Sequence, residues 1–207
     1  MERLLNVRSE YQHLEPEQLK KLQNALSMNC EILLFNIRTS GNIAMCIRTA
    51  CLMGCKQVII CGRKHYDKRF TVGAENYIPV TFVEKPLKVT INCKKGTNPV
   101  EYIEMFNYNV DEFVKCCNGR TPIFLEQNGT NISEVPWKLV ENPLVILGNE
   151  SLGIPTDFIK SVKTILPETR IVSIPQCSVM RSLNVAVAAS IVLWEITKQT
   201  TSLSFTC

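Results

Sequence analysis

Only two histidines occur in the chain, no two cysteines are spaced C-x-x-C, and no apolar run reaches the length, about eighteen residues, that crosses a bilayer. Neither G-x-G-x-x-G nor G-x-x-x-x-G-K-[ST] follows an apolar run. These absences exclude the usual zinc ribbon, a membrane-spanning helix, the common dinucleotide turn and the phosphate loop. The opening M-E-R-L-L-N-V-R-S-E lacks the apolar core of a secretory signal, so a soluble intracellular protein is expected, in the cytoplasm with the nucleus left open. Internal repeats and low-complexity tracts are also missing.

What is abundant has to be read in that light. Ten cysteines would staple a small secreted domain, but here they sit inside apolar segments such as M-C-I-R-T-A-C-L-M-G-C, and the expectation is reduced, buried thiols. Cys46, Cys51 and Cys55 recur at helical spacing, yet only His13 and His65 can add nitrogen ligands, so no metal site is expected. The triplets Asn128-Gly-Thr130 and Asn131-Ile-Ser133 are chance matches to a glycosylation signal in a chain without export. A net charge of +4 suits a polyanionic partner without demanding one. At 207 residues the length fits one domain with a single core.

Periodicity divides the chain into residues 1–30, a polar helical lead-in, and residues 31–207, one α/β domain. Leu19, Leu22 and Leu26 share a helix face, with Pro16 suited to the first turn. E-I-L-L-F-N-I and K-Q-V-I-I-C-G are apolar runs of strand length, separated by a helix over 42–53 that stops at Gly54. Further strands are expected in I-P-V-T-F-V-E, T-P-I-F-L-E, P-L-V-I-L-G and R-I-V-S-I-P, with helices over 99–117 and 182–198. Residues 89–98 read as an exposed connection. Alternating strands and helices imply a mainly parallel sheet with helices on both faces. The last helix, V-A-V-A-A-S-I-V-L-W-E-I, is apolar nearly all round and calls for a second cover, which a subunit partner would supply.

Three stretches carry the chemistry: N-I-A-M-C-I-R-T-A (42–50), G-N-E-S-L-G-I-P (148–155) and I-P-Q-C-S-V-M-R-S-L-N-V (174–185). A lone G-x-E-x-x-G is no more than a strand-to-helix turn. In the order N-x-x-x-x-x-R, G-x-E-x-x-G, I-P…S-L-N-V before an apolar helix, the set resembles the signature motifs of the SPOUT methyltransferases of the TrmH/SpoU type, over roughly Ile32 to Gln199. The wording is most similar to the catalytic domain of eukaryotic tRNA guanosine 2′-O-methyltransferases.

That resemblance implies a SPOUT α/β fold with a carboxyl-terminal deep trefoil knot, a homodimer through the knot region, and S-adenosylmethionine as cofactor. The matching cofactor-binding positions are Leu125, Glu126, Gly148, Asn149, Gly153, Ile174 and Leu183. The catalytic set falls on Asn42, Arg48, Glu150, Ser182 and Asn184. Ala44 departs from the family by standing where many relatives carry glycine. The implied activity is RNA 2′-O-ribose methylation, on tRNA in preference to rRNA and on a guanosine of the D-loop. The alternatives are an rRNA or base-directed relative and a non-catalytic RNA-binding subunit.

The residue types fit such chemistry. A guanidinium grips a phosphate bidentately and stabilises a developing alkoxide, the role expected of Arg48. Ser182 and Asn184 stand where short polar side chains cap a helix. Glu150 is expected to orient its own loop or to bind Arg48. In G-R-K-H-Y-D-K-R-F, Arg63, Lys64, Lys68 and Arg69 alternate with rings, a pattern for holding phosphates and stacking on unpaired bases.

Overall fold

The strand Glu31–Phe35 (β1) sets the layout of the molecule. Ile32 and Leu34 enter one apolar cluster, Leu33 and Phe35 another, because successive side chains of a strand point to opposite faces. A strand buried on both faces needs a parallel sheet with helices on each side. The computed structural model describes residues 6–83, 87–93, 102–180 and 182–201, with 87–93 and 102–108 described by backbone alone. Around β1 these form α1 (Pro16–Ala25), α2 (Ser40–Leu52), β2 (Val58–Cys61), α3 (Lys68–Thr71), β3 (Val80–Val83), β4 (Leu87–Cys93) and β5 (Tyr102–Tyr108). Then follow α4 (Val110–Cys116), β6 (Thr121–Asn131), β7 (Pro143–Leu147), α5 (Thr156–Ile165), β8 (Arg170–Ser173) and α6 (Val185–Thr200).

Six strands make one sheet in the order β3-β2-β1-β7-β6-β8, every neighbouring pair parallel. Helices α2 and α6 cover one face through Ile43, Cys46, Ile47, Ala189, Val192 and Leu193. On the other face α4 and α5 supply Phe113, Phe158, Ile159 and Val162, and the rings of Phe35, Phe113, Phe124 and Phe158 pack edge-on or offset with centroids 5.0–6.4 Å apart. Helix α1 carries Pro16 in its first turn and buries Leu19, with Leu22 half-buried, but Leu26, expected on the same face, lies just past the helix and is 58% exposed. Gly54, at φ 74°, accepts the Met28 N–H at 2.7 Å and ties the residues after α1 to the end of α2.

Two expectations need correcting. Residues 99–117 are not one helix: Tyr102–Tyr108 is β5, paired antiparallel with β4 from Leu87↔Tyr108 to Cys93↔Tyr102, and the helix begins only after Asn109. Tyr102, Ile103, Phe106 and Tyr108 are aromatic or β-branched and favour an extended chain over a helix. Residues 89–93, expected in an exposed connection, belong to β4, while 94–98 lie outside the described residues. Helix α5 was not anticipated, although Phe158, Ile159 and Val162 share one buried face.

Strand β6 does something unusual at its end. Leu125 and Thr130 both stand opposite Val172. A strand residue has one neighbour on each side, so residues 126–129 step across β8 and Thr130–Asn131 flank its other edge. Gly129 makes the crossing: a Cβ there would lie 2.6 Å from the Ile171 carbonyl oxygen and 2.8 Å from the Val172 carbonyl carbon. These contacts are all with the β8 backbone, which cannot give way as a side chain can. Gly129→Ala should therefore destabilise the protein by about 3 kcal/mol, the upper range for overpacking, read as a lowered midpoint in urea; a wild-type midpoint would refute the crossing.

Candidate active site

The carboxyl ends of β6, β7 and β8 surround a cavity of about 560 Å³, where parallel sheets place ligands. Its walls include Leu125, Glu126, Gly148, Asn149, Gly153, Ile174 and Leu183, all seven positions matched to the cofactor, together with Glu150 and Ser182 from the catalytic set. Gln127, Asn128, Thr156 and Gln176 also line it and were not singled out from the sequence.

The loop after β7 is closed by Asn149, which is 5% exposed. Its Oδ1 accepts the N–H groups of Ser151 and Leu152 at 2.9 and 3.1 Å, and its Nδ2 donates to the Asn36 carbonyl at 2.8 Å. Backbone bonds between Asn149 and Gly153 complete the turn. Gly148 packs so tightly beneath it that a Cβ would lie 2.8 Å from the Gly153 carbonyl carbon. Glu126 reaches across from β6 to accept the Ile154 N–H at 2.9 Å.

Glu150 leaves this turn toward α2. Its carboxylate accepts the N–H of Arg38 at 2.9 Å, that of Thr39 at 3.0 Å and the Asn42 side-chain amide at 3.0 Å. Asn42 Oδ1 then accepts from Asn184 Nδ2 at 3.1 Å, and Asn184 Oδ1 caps α6 by accepting the N–H groups of Ala186 and Val187 at 2.8 and 3.4 Å. The three sequence motifs thus meet in one hydrogen-bonded chain. Burial acts to raise the Glu150 pKa, but the backbone N–H groups and the Asn42 amide outweigh it and hold the carboxyl below its ordinary value.

Arg48 does not join them. It is half-buried six residues beyond Asn42 on α2, outside the cavity wall, and among the described residues its side chain has no hydrogen bond or ion pair. Glu150 binds the residues before α2 and not Arg48. Helical spacing puts Arg48 beside Met45 and Leu52, which are 37% and 73% exposed. Ser182 is exposed at the cavity rim, and Asn184 rather than Ser182 caps α6. Ala44 is fully buried in α2.

The four basic residues after β2 are Arg63 and Lys64 in the loop and Lys68 and Arg69 at the start of α3. Arg63 donates to the Arg38 carbonyl at 2.7 Å, and Arg69 is paired with Asp67 at 2.6 Å. The bonds from Arg69 hold the Asp67 carboxyl down at about 2. Lys64, Lys68 and Arg69 line an open groove with His65, Tyr66, Asp67 and Phe82. The eight described cysteines are free, and burial pushes the thiols of Cys46 and Cys117 up to about 12 and Cys51 to about 11, which removes them as nucleophiles.

Residues 94–194 match the sequence model of the SpoU rRNA Methylase family. A tRNA (guanosine(18)-2'-O)-methyltransferase of Mus musculus, TARBP1, is 35% identical over 85 residues, 41% of this chain and only 5% of that protein's length. Among solved structures, a TrmH/SpoU tRNA modifying enzyme of A. aeolicus superposes with a TM-score of 0.65 at 17% identity, covering 89% of this chain and 81% of that one. An AdoMet-bound rRNA methyltransferase from Sinorhizobium meliloti gives 0.61 at 21% identity, covering 89% and 61%. At such identities the two structures speak to the fold.

The Glu150 hydrogen bonds predict a pH dependence. A carboxyl held below its unfolded value contributes stability above the ordinary carboxylate pKa, and that contribution is lost as pH falls through the folded value. Glu150→Gln, which forces a donor against other donors, should cost about 1–2 kcal/mol at neutral pH. The gap from wild type in urea titrations should close toward acid; a gap independent of pH would contradict the assignment.

Proposed function

We propose that the chain, whose residues 94–194 match the SpoU methylase family model, transfers a methyl group from S-adenosylmethionine to a ribose 2′-hydroxyl of structured RNA. The favoured substrate is a tRNA, at a guanosine of the D-loop. The observation that carries this reading is the cavity at the sheet's rim, bounded by two of the three motifs and tied to the first through Glu150. The tRNA preference leans on the mouse relative, while the family's description keeps rRNA as the second reading.

The residues present fit the cofactor. A volume of about 560 Å³ lies within the range, roughly 300–1,000 Å³, of small-molecule sites. Leu125, Leu147, Ile154, Ile174 and Leu183 offer an apolar bed for a planar base, and Gly148 and Gly153 bring backbone polar groups to its edge. Bound there, the sulfonium supplies an electrophilic methyl group. Everything else falls to the chain: holding a ribose oxygen in line and stabilising its developing charge.

Arg48 takes the second task, gripping the phosphate beside the target nucleotide. It lies outside its own subunit's cavity, on a surface where α2 exposes Met45 and Leu52 and α6 exposes Val187 and Trp194. A second copy of the chain packed over this surface buries those side chains and completes the site between two subunits. The carboxyl-terminal trefoil knot belongs to the same reading, supported by the passage of residues 126–129 across β8. Lys64 and Lys68 hold RNA phosphates while Tyr66, His65 and Phe82 offer faces for unpaired bases; Arg63 and Arg69 shape that groove through Arg38 and Asp67. The expected setting is the cytoplasm, and no described helix is long and apolar enough to cross a membrane.

Incubation with methyl-labelled cofactor and separate tRNA and rRNA pools, followed by mapping of 2′-O-methyl groups, tests the proposal. Label should appear at a D-loop guanosine of tRNA, and Arg48→Lys should lower turnover by about 100-fold with little change in melting temperature. Cofactor binding without label in any RNA would favour the non-catalytic RNA-binding subunit. A lysine variant of normal rate would remove Arg48 from the mechanism.

A further inference from the structure

The cavity is electrically one-sided. Among its described lining residues are two carboxylates, Glu126 and Glu150, and no lysine, arginine or histidine. Glu150 is committed to the residues that start α2, with both oxygens accepting hydrogen bonds. Glu126 is different. Its Oε1 accepts the Ile154 N–H at 2.9 Å, and among the described residues Oε2 accepts none.

The position of Glu126 is built into the fold. Leu125 is the last residue of β6 in register with Leu147 of β7, so Glu126 stands where the chain leaves the sheet to cross β8. Room for its carboxylate depends on Gly153, where a Cβ would lie 3.3 Å from both oxygens. Burial raises the Glu126 carboxyl pKa, partly offset by the Ile154 N–H, as befits a charge with no cation beside it. An unpaired carboxylate in a half-enclosed cavity favours a ligand that brings a positive charge.

Resting on the reading of this cavity as the cofactor's, we infer that Glu126 is the counter-charge that lets the pocket prefer the sulfonium cofactor over its thioether product. The two ligands share the adenosine and the amino-acid group. They differ by one methyl and one positive charge, and a sulfonium offers no hydrogen-bond donor, so a nearby negative charge acts directly on the difference between them. The same charge favours release of S-adenosylhomocysteine after transfer, because loss of the methyl group leaves Glu126 without its partner. Glu126 is thus a specificity residue of the site and not only a clasp on the turn after β7.

Glu126→Gln separates the two roles, since its amide oxygen can still accept the Ile154 N–H while the charge is gone. Calorimetry on the full chain near neutral pH, with S-adenosylmethionine and S-adenosylhomocysteine titrated separately, gives the readout. The substitution should weaken S-adenosylmethionine by about tenfold, leave S-adenosylhomocysteine unchanged and keep the wild-type melting temperature. Equal weakening of both ligands, or of neither, would reduce Glu126 to a structural clasp and overturn the inference while the cofactor assignment stood. Wild-type protein that bound neither ligand would remove the cofactor reading and this inference with it.

Discussion

A carboxylate can only accept hydrogen bonds, and that restriction at Glu150 fixes the direction of every bond in the site's polar chain. Asn42 must turn its amide nitrogen to Glu150, which leaves its oxygen for Asn184. Asn184 must then present its nitrogen to Asn42, so its own oxygen is free to cap α6. No amide in the series can be flipped without opposing two donors or two acceptors. The turn after β7, the start of α2 and the start of α6 are thereby held as one unit, although they lie more than 100 residues apart for Glu150 and Asn42.

The sheet makes that unit possible by bringing three strand ends to one rim. Burial of β1 and β7 on both faces leaves no solvent-facing side, so functional groups concentrate where the strands stop. Two glycines then set the distances. Gly148 lets the turn after β7 fold back on itself, and Gly129 lets residues 126–129 pass over β8 at backbone contact. The cavity wall is therefore chiefly main chain and apolar side chain, with Glu126 and Glu150 as its charged members.

Much of this was legible in the sequence, and the reasons differ by element. Apolar runs gave β1, β2 and β7 because strands buried on both faces have no polar alternation to confuse them. The motif spacing gave the cavity wall, from Leu125 to Leu183, through resemblance and not through periodicity. Residues 102–108 were misjudged because apolar and polar residues there satisfy helical as well as alternating spacing, and the pairing partner β4 decides between them. The placement of Arg48 was also beyond reach: its motif names it beside Asn42, but six residues along a helix turn it away from the Glu150 side. The contact of Arg63 with the Arg38 carbonyl joins segments that no local pattern links.

Coupling between the motifs, and not the presence of each, is what the site requires. A double-mutant cycle measures it: Glu150→Ala, Asn184→Ala and the pair, compared by unfolding free energy. Because Asn42 bridges the two, the losses should fall short of additive by about 1 kcal/mol or more. Losses that summed within about 0.3 kcal/mol would mean that the turn after β7 and the start of α6 are held independently, and the single polar unit described here would not exist.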